Sequence, residues 1–222
     1  MIVLIGGEKG GTGKTTLATA LAVLAAREGR DVLLVDTDRQ GSATAWAAAR
    51  EAAGAQPRIP CVGMRGKSVA GDLRAMAGRF ADVIVDAGGR DSVELRYALT
   101  AAHRLYIPIT PGQFDVWTLQ TMADLIDQAR PFNEGLQGHV VLNRASPNPV
   151  VGEAAEAGAA AGEYGLGLAR TILRDRIAHR YAARAGLAAV EESPADPKAV
   201  AELRGLYREV FGEAAKERRT TA

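Results

Sequence analysis

A glycine-rich segment near the start of the chain, residues 6–16, has the composition of a phosphate-binding loop. It follows a short apolar run and precedes an Ala-rich stretch that can form a helix. Glycines let backbone amides turn toward an anion, and the amino end of a helix adds its dipole to that attraction. Lys14 is then expected to reach the β- and γ-phosphates of a nucleotide, and the Thr15 hydroxyl to bind Mg²⁺. The predicted nucleotide-binding residues here are Gly10, Gly11, Thr12, Gly13, Lys14, Thr15 and Thr16.

Carboxylates follow two other apolar runs. Asp36 comes directly after residues 32–35, with Asp38 two residues further on, and Asp86 comes directly after residues 83–85. Carboxylates at the carboxyl ends of parallel strands, beside a phosphate loop, lie where a metal ion and an attacking water are held. Asp86 is therefore predicted to hold Mg²⁺ through a water molecule.

The loop departs from the common G-x4-G-K-T pattern, because Glu8 takes the place of the first glycine and Lys9 follows it. This Lys-Gly-Gly-x-Gly-Lys-Thr form resembles the deviant Walker A motif of the ParA/MinD superfamily of P-loop ATPases, and the resemblance covers nearly the whole chain. It implies ATP or ADP and Mg²⁺ as ligands. It also implies that Lys9 crosses the interface of an ATP-bound homodimer and contacts the phosphates held by the other subunit, so that Lys9 and Lys14 are both catalytic residues.

Residues 35–41, called the switch segment below, resemble the Asp-x-Asp-Pro-Gln-Gly segment of that superfamily. The resemblance implies that Asp36 supports the Mg²⁺ shell and that Asp38 orients or activates the attacking water as a catalytic residue. Arg39 stands where the family commonly has proline. Asn143, which follows another apolar run, stands where the superfamily often contacts adenine, although asparagine at this position is also a common turn residue.

Two adjacent glycines, Gly88 and Gly89, follow Asp86 and can provide a flexible switch that senses the γ-phosphate through a backbone amide. Many ParA proteins have prolines at this point. The run from residue 88 to residue 92 looks more like those of small ParF-type partition proteins and of MipZ-type proteins. The sequence is therefore placed closest to the ParF-type group.

These residues need a sheet to position them. Short apolar runs alternate with longer helical segments, which predicts a doubly wound α/β fold with a mainly parallel sheet and helices on both faces, as in P-loop NTPases. The predicted strands are 2–5, 32–35, 59–64, 83–85, 105–109, 140–142 and 168–173, and the predicted helices are 15–28, 42–53, 68–79, 92–102, 116–130, 153–163 and 197–211. We expect one ATPase domain over residues 1–222, with about seven flexible residues at its end.

Composition excludes several classes of protein. The 27 basic and 26 acidic side chains give a net charge of +1, which argues against a dedicated nucleic-acid binder. The single cysteine, Cys61, rules out an internal disulfide or a zinc site of several thiolates. His103, His139 and His179 lack metal-ligand spacing. The longest apolar runs are too short to span a membrane, so a cytoplasmic protein without a membrane partner is expected.

The basic charge is unevenly distributed. Residues 168–184 hold five arginines and one acid, Asp175, which gives +4, and the total of +1 then leaves −3 elsewhere. If a helix begins at Asp175, three of these arginines fall on one side of it and can follow a phosphate backbone without reading bases. A solvated helix face would show the same pattern. The predicted DNA-binding residues are Arg170, Arg174, Arg176, Arg180 and Arg184.

The resemblance implies an ATP-driven switch that segregates plasmid or chromosomal DNA. In this hypothesis an ATP-bound homodimer binds DNA non-specifically at the bacterial nucleoid, and a ParB- or ParG-like activator on the centromere or cargo stimulates weak ATP hydrolysis. The main alternative is a MinD- or MipZ-like regulator that positions the division machinery or another large assembly. A MinD-like membrane switch, which needs an amphipathic C-terminal helix, and a metabolic ligase resembling dethiobiotin synthetase are further alternatives.

Overall fold

The computed structural model describes residues 1–89, 91–111, 116–148 and 152–219. Seven strands of this part of the chain form one sheet in the order β3-β2-β4-β1-β5-β6-β7, and all neighbours are parallel. The strands are β1 Ile2–Ile5, β2 Val32–Asp36, β3 Cys61–Gly63, β4 Asp82–Asp86, β5 Arg104–Ile109, β6 Gln137–Leu142 and β7 Gly167–Leu168. The predicted fold class is confirmed.

Helices cover both faces of the sheet. Because alternate side chains of a strand point to opposite faces, Leu4 of β1 packs in the layer of α3 to α6, and Ile5 packs in the layer of α1, α2 and α8. The helices are α1 Lys14–Arg27, α2 Ser42–Ala52, α3 Val69–Ala77, α4 Val93–Leu99, α5 Val116–Ala129, α6 Glu153–Glu163, α7 Ile177–Arg184 and α8 Pro197–Arg219, with 3-10 turns at Arg130–Phe132 and Ala189–Glu191. None of the helices described here is long and apolar enough to cross a lipid bilayer.

The last strand is much shorter than predicted. The sequence predicts a strand over residues 168–173, whereas β7 ends at Leu168. The backbone amides of Arg170 and Thr171 donate to the carboxylate of Glu209 on α8, each at 2.8 Å. A side chain distant in sequence therefore takes the Thr171 amide, which would otherwise continue the ladder to β6, and contact with β6 resumes only where the Leu173 amide donates to the Leu142 carbonyl at 2.9 Å. No local pattern reveals this.

Parallel pairing brings the predicted site residues to one edge of the sheet. The register of β2 and β4 places Asp36 directly opposite Asp86 at the ends of both strands. On the other side of β4, Ile5 is opposite Asp86, so the loop after β1 starts at the same edge. That loop ends where α1 begins, at Lys14.

A buried ion pair joins α2 to the segment that follows α7. The guanidinium of Arg50 makes two contacts of 2.8 Å with the carboxylate of Glu191, and it donates to the Gly186 carbonyl at 3.0 Å. Arg50 is only 2% exposed. A Cβ at Gly186 would lie 2.2 Å from the backbone nitrogen of Arg50. Because φ at Gly186 is also +68°, this position requires glycine. Close packing and charge together fix α2 against this segment.

Removing one member of this pair should be costly, because the other charge is left buried without a partner. We expect Arg50→Met to lower the free energy of unfolding, measured in urea, by about 3–5 kcal/mol. Arg58→Met is the matched control, because it breaks an exposed pair with Glu51 at 3.3 Å, and it should cost less than about 1 kcal/mol. Adding Glu191→Leu to Arg50→Met should recover part of the loss. Equal stability of Arg50→Met and the control would contradict this account.

Candidate nucleotide site

The loop between β1 and α1 forms an open cradle. Gly13 precedes α1 with a φ of +91°, and nothing lies within 4 Å of the positions that a Cβ at Gly10 or Gly11 would occupy. The Lys14 ammonium is buried and donates to the Lys9 carbonyl at 2.6 Å. Burial lowers the pKa of Lys14, and nearby carboxylates oppose that effect. A phosphate in this cradle would meet loop amides, a helix amino end and one cation.

Thr15 and Asp86 fit a magnesium ion. The Thr15 hydroxyl donates to one carboxylate oxygen of Asp86 at 2.6 Å, and the other oxygen is buried without a hydrogen-bond partner. Burial raises the pKa of Asp86 to about 7, with the Thr15 hydrogen bond opposing it and the neighbouring Asp36 carboxylate adding to it. Mg²⁺ prefers carboxylate and hydroxyl oxygens, and an unsatisfied buried oxygen is an open ligand position for it.

Asp36 holds the switch segment in place. One of its carboxylate oxygens accepts from the Asp38 amide at 3.0 Å, and the other accepts from the amide and the hydroxyl of Thr44 at 2.9 and 3.0 Å. These bonds tie the end of β2 to the start of α2. Because both oxygens have protein donors, the geometry favours support of the metal site through the switch segment, and the role of Asp36 toward Mg²⁺ stays a prediction.

Close packing explains the two glycines after β4. A Cβ at Gly88 would lie 3.2 Å from the carboxyl carbon of Asp38, and a Cβ at Gly89 would lie 3.0 Å from the Gly10 backbone and from the Lys14 ammonium. This segment therefore contacts both the switch segment and the phosphate loop. From the sequence, these glycines are expected to provide flexibility. The structure adds a second reason, which is that neighbouring atoms leave little room for a side chain at either position.

Asn143 and Arg144 brace the phosphate loop from the end of β6. The side-chain amide of Asn143 donates to the Thr12 carbonyl at 2.6 Å, and Arg144 donates to the Gly11 carbonyl at 2.9 Å. Arg144 has a φ of +57°, which is uncommon outside glycine. One N–H of the Asn143 amide is thus used by the loop, which leaves its second N–H and its oxygen for the predicted contact with adenine.

The cleft above the loop has a volume of about 1030 Å³, enough for a nucleotide. Its lining includes Lys14, Thr15 and Asp38. Lys9 instead lines a separate small groove beside the end of β5, together with Pro108 and Thr118. Lys9 and Lys14 therefore border different hollows, although the Lys14 ammonium donates to the Lys9 carbonyl.

The structure corrects the predicted basic helix. α7 begins at Ile177, and Arg176 stands before it in an extended conformation. The Arg176 guanidinium is paired inside the protein, with Glu202 at 2.6 Å and with Asp196 at 3.9 Å, and its side chain is 13% exposed. The helix thus starts two residues later than the arginine row requires, and carboxylates from α8 and the preceding loop already pair with Arg176. This pairing disfavours a DNA contact of Arg176, which stays a prediction.

The other four arginines differ in position. Arg174, Arg180 and Arg184 line the α7 side of the nucleotide cleft. Arg180 and Arg184 are exposed, and the Arg184 guanidinium lies 5.9 Å from the centre of the Tyr181 ring. Arg170 is exposed at the end of the sheet, beside α8. The predicted row on one side of a helix thus consists of Arg180 and Arg184.

Two arginines that contact the site have no role in the sequence prediction. Arg144 directly follows Asn143 at a strand end, and that position is a usable signal. Arg65 lies after β3 and donates to the backbone carbonyls of Asp36 and Asp38. Nothing in the local sequence distinguishes Arg65, because its contacts come from a neighbouring strand.

A glycine cradle, a buried lysine and a Thr–Asp pair at the carboxyl edge of a parallel sheet define a P-loop nucleotide site. Residues 3–192 match the family model described as the CobQ/CobB/MinD/ParA nucleotide binding domain. The chain is 32% identical over 208 residues to maintenance of carboxysome distribution protein A from Gloeobacter kilaueensis, with 90% of this chain and 92% of that protein covered.

Two solved structures are similar in fold. The apo form of McdA from Cyanothece has a TM-score of 0.75 and 18% identity, with 95% of this chain and 98% of that chain covered. MinD from Pyrococcus horikoshii, complexed with Mg-ADP, has a TM-score of 0.72 and 18% identity, with 96% of each chain covered. At this identity the two structures support the fold.

The chain belongs to the CobQ/CobB/MinD/ParA family of nucleotide-binding proteins. Membership in the ParA/MinD superfamily is thus confirmed, and with it nucleotide binding and the ATP hydrolase activity of that superfamily. Of the structures similar in fold, MinD from Pyrococcus horikoshii carries Mg-ADP and one form of McdA from Cyanothece carries ATP. The finer prediction of closeness to ParF-type partition proteins is not confirmed by these relatives.

Proposed function

We propose that this protein is an ATP-driven positioning ATPase that distributes a large protein assembly in a bacterial cell. The observation that carries the proposal is the similarity, along 90% of the chain, to a protein named for carboxysome distribution. Segregation of plasmid or chromosomal DNA, which the sequence favours first, has less support from these relatives. The alternative of a MinD- or MipZ-like regulator of another large assembly is the better account of the same site.

Each residue of the site has a role in this proposal. Residues 10–16 bind the phosphates through backbone amides, and Lys14 contacts the β- and γ-phosphates. Thr15 and Asp86 hold Mg²⁺, which when bound neutralises phosphate charge. Asp38, at the surface of the cleft, orients the attacking water. Asp36 keeps Asp38 in position through the 3.0 Å bond to its amide.

The position of Lys9 supports a dimer with nucleotide at its interface. ATPases of the ParA/MinD family commonly dimerise with ATP bound. Lys9 lines a groove beside β5 rather than the nucleotide cleft of its own subunit. This position is compatible with a contact between Lys9 and phosphates that a second copy of the chain holds, which is the role that the resemblance implies.

The two lysines should give different defects. Lys14→Ala should weaken ATP binding at least about tenfold, because it removes charge-assisted contacts to phosphate, and it should abolish ATP-dependent dimers. Lys9→Ala should bind ATP normally and fail to dimerise. Fluorescent-nucleotide binding and analytical ultracentrifugation measure the two properties, with the exposed Lys198→Ala as control. Normal ATP-dependent dimers of Lys9→Ala would refute the proposed role of Lys9.

We also propose that the dimer binds DNA without sequence preference through Arg180 and Arg184. Both side chains are exposed on α7 at the rim of the cleft. Pairing of two subunits places two such sites in one dimer. The affinity of the dimer for DNA then exceeds that of one subunit, although each electrostatic contact is weak. Nucleotide-dependent dimerisation would thereby switch DNA binding on and off.

Charge reversal tests this surface. Arg180→Glu with Arg184→Glu should weaken binding of ATP-loaded dimers to random-sequence DNA. It should also reduce the slope of log affinity against log salt by about one for each phosphate that the protein no longer neutralises. Arg79→Glu with Arg130→Glu makes the same charge change at the amino edge of the sheet, away from the cleft. DNA binding that falls equally in both double variants would show a net-charge effect and contradict the assignment.

The class of cargo is tested in the cell. An in-frame deletion should leave large protein assemblies, seen by fluorescence microscopy, clustered or unevenly spaced, while plasmid retention without selection stays unchanged. Complementation with the wild-type chain should restore even spacing, and the Lys14→Ala chain should not. Loss of plasmids with normally spaced assemblies would instead favour DNA partition.

A further inference from the structure

The loop after β3 carries a side chain that grips the switch segment from outside the nucleotide cleft. The guanidinium of Arg65 donates to the backbone carbonyls of Asp36 and Asp38, and also to the Met64 carbonyl at 2.8 Å. One of its nitrogens lies 3.8 Å from the Asp36 carboxylate. Arg65 thus holds backbone atoms on both sides of Thr37.

These carbonyls lie where the sheet ends. β3 stops at Gly63, opposite Asp36, and the Met64 amide makes one more bond to the Asp36 carbonyl at 3.0 Å. Beyond that point no strand of the described chain pairs with this side of β2. The planar fork of an arginine can bind two carbonyls at once, which the single ammonium of a lysine cannot do with the same geometry.

The same loop is anchored on its other side to α4. The Gly66 amide donates to the Glu94 carboxylate at 3.0 Å, and Glu94 is 5% exposed. This hydrogen bond is the main cause that lowers the pKa of Glu94, and the charges of Arg39 and Arg65 act in the same direction. α4 begins only a few residues after Gly88 and Gly89. The loop after β3 therefore connects the switch segment to the element that follows these two glycines.

Arg65 does not itself line the nucleotide cleft. It borders an adjoining shallow depression with Arg39, Gly66 and Glu94, of which Arg39 and Glu94 also line the cleft. The contacts that Arg65 makes near the site are with the backbone of Asp36 and Asp38 and with the Asp36 carboxylate. Its contribution to hydrolysis is therefore expected to act through the backbone of the switch segment.

We propose that Arg65 is a positioning residue for ATP hydrolysis, which fixes the backbone of Asp38, and that Glu94 anchors the loop from which Arg65 acts. The inference rests on the proposed role of Asp38 in orienting the attacking water. Arg65 adds a restraint from outside the cleft to the hydrogen bond that Asp36 provides from within the segment.

The test is steady-state ATP hydrolysis by the full chain, with kcat and KM measured separately. Arg65→Gln should lower kcat about tenfold to a hundredfold with little change in KM, because slight misplacement of a water-orienting group has a cost of that order. Arg65→Lys should not restore kcat, since it keeps the charge and loses the fork. Glu94→Ala should change kcat in the same direction. Thermal unfolding of each variant checks that a lower kcat does not result from a smaller amount of folded protein.

Arg74→Gln is the matched control, because Arg74 also donates to a backbone carbonyl, that of Thr100 at 2.6 Å, and lies outside the site. It should leave kcat unchanged. Wild-type kcat in Arg65→Gln, or full activity in Arg65→Lys, would overturn the inference. Asp38→Ala, assayed alongside, separates the two levels: normal hydrolysis by Asp38→Ala would refute the proposed role of Asp38 and this inference with it. An inactive Asp38→Ala beside a fully active Arg65→Gln would refute the inference alone.

Discussion

The site depends on two carboxylates that parallel strand pairing forces together. Asp36 and Asp86 end adjacent strands in register, and both are almost completely buried. Like charges in a poorly solvated place repel each other, so the structure must treat them differently. Asp36 is satisfied by three hydrogen bonds from the switch segment and Thr44. Asp86 keeps an unsatisfied oxygen and a pKa that burial raises, which suits its proposed role of holding Mg²⁺.

The loops at this edge of the sheet contact one another. Gly89 packs on the phosphate loop and Gly88 on Asp38. Asn143 and Arg144 hold carbonyls of the phosphate loop from the opposite side. A phosphate that draws Lys14 away from its bond to the Lys9 carbonyl would therefore disturb several segments at once, which is the property required of a nucleotide switch.

The fold and the centre of the site follow from local sequence patterns. Buried parallel strands appear as continuous apolar runs, and the phosphate loop is a contiguous motif, so both can be predicted. The failures all involve partners that are distant along the chain. Glu209 shortens the last strand and Glu202 takes up Arg176, and both lie on α8. Arg65 reaches the switch segment only because β3 pairs with β2.

The Arg50–Glu191 pair has a consequence for how the nucleotide cleft is connected to α7. α2 starts directly after the switch segment, and the pair clamps the other end of α2 to the chain that leaves α7. The indole of Trp46 adds a second attachment, to the Leu187 carbonyl at 3.1 Å. α2 therefore links the switch segment at one end to the chain after α7 at the other, so a shift of the switch segment would reach the helix that carries Arg180 and Arg184 through a single rigid element.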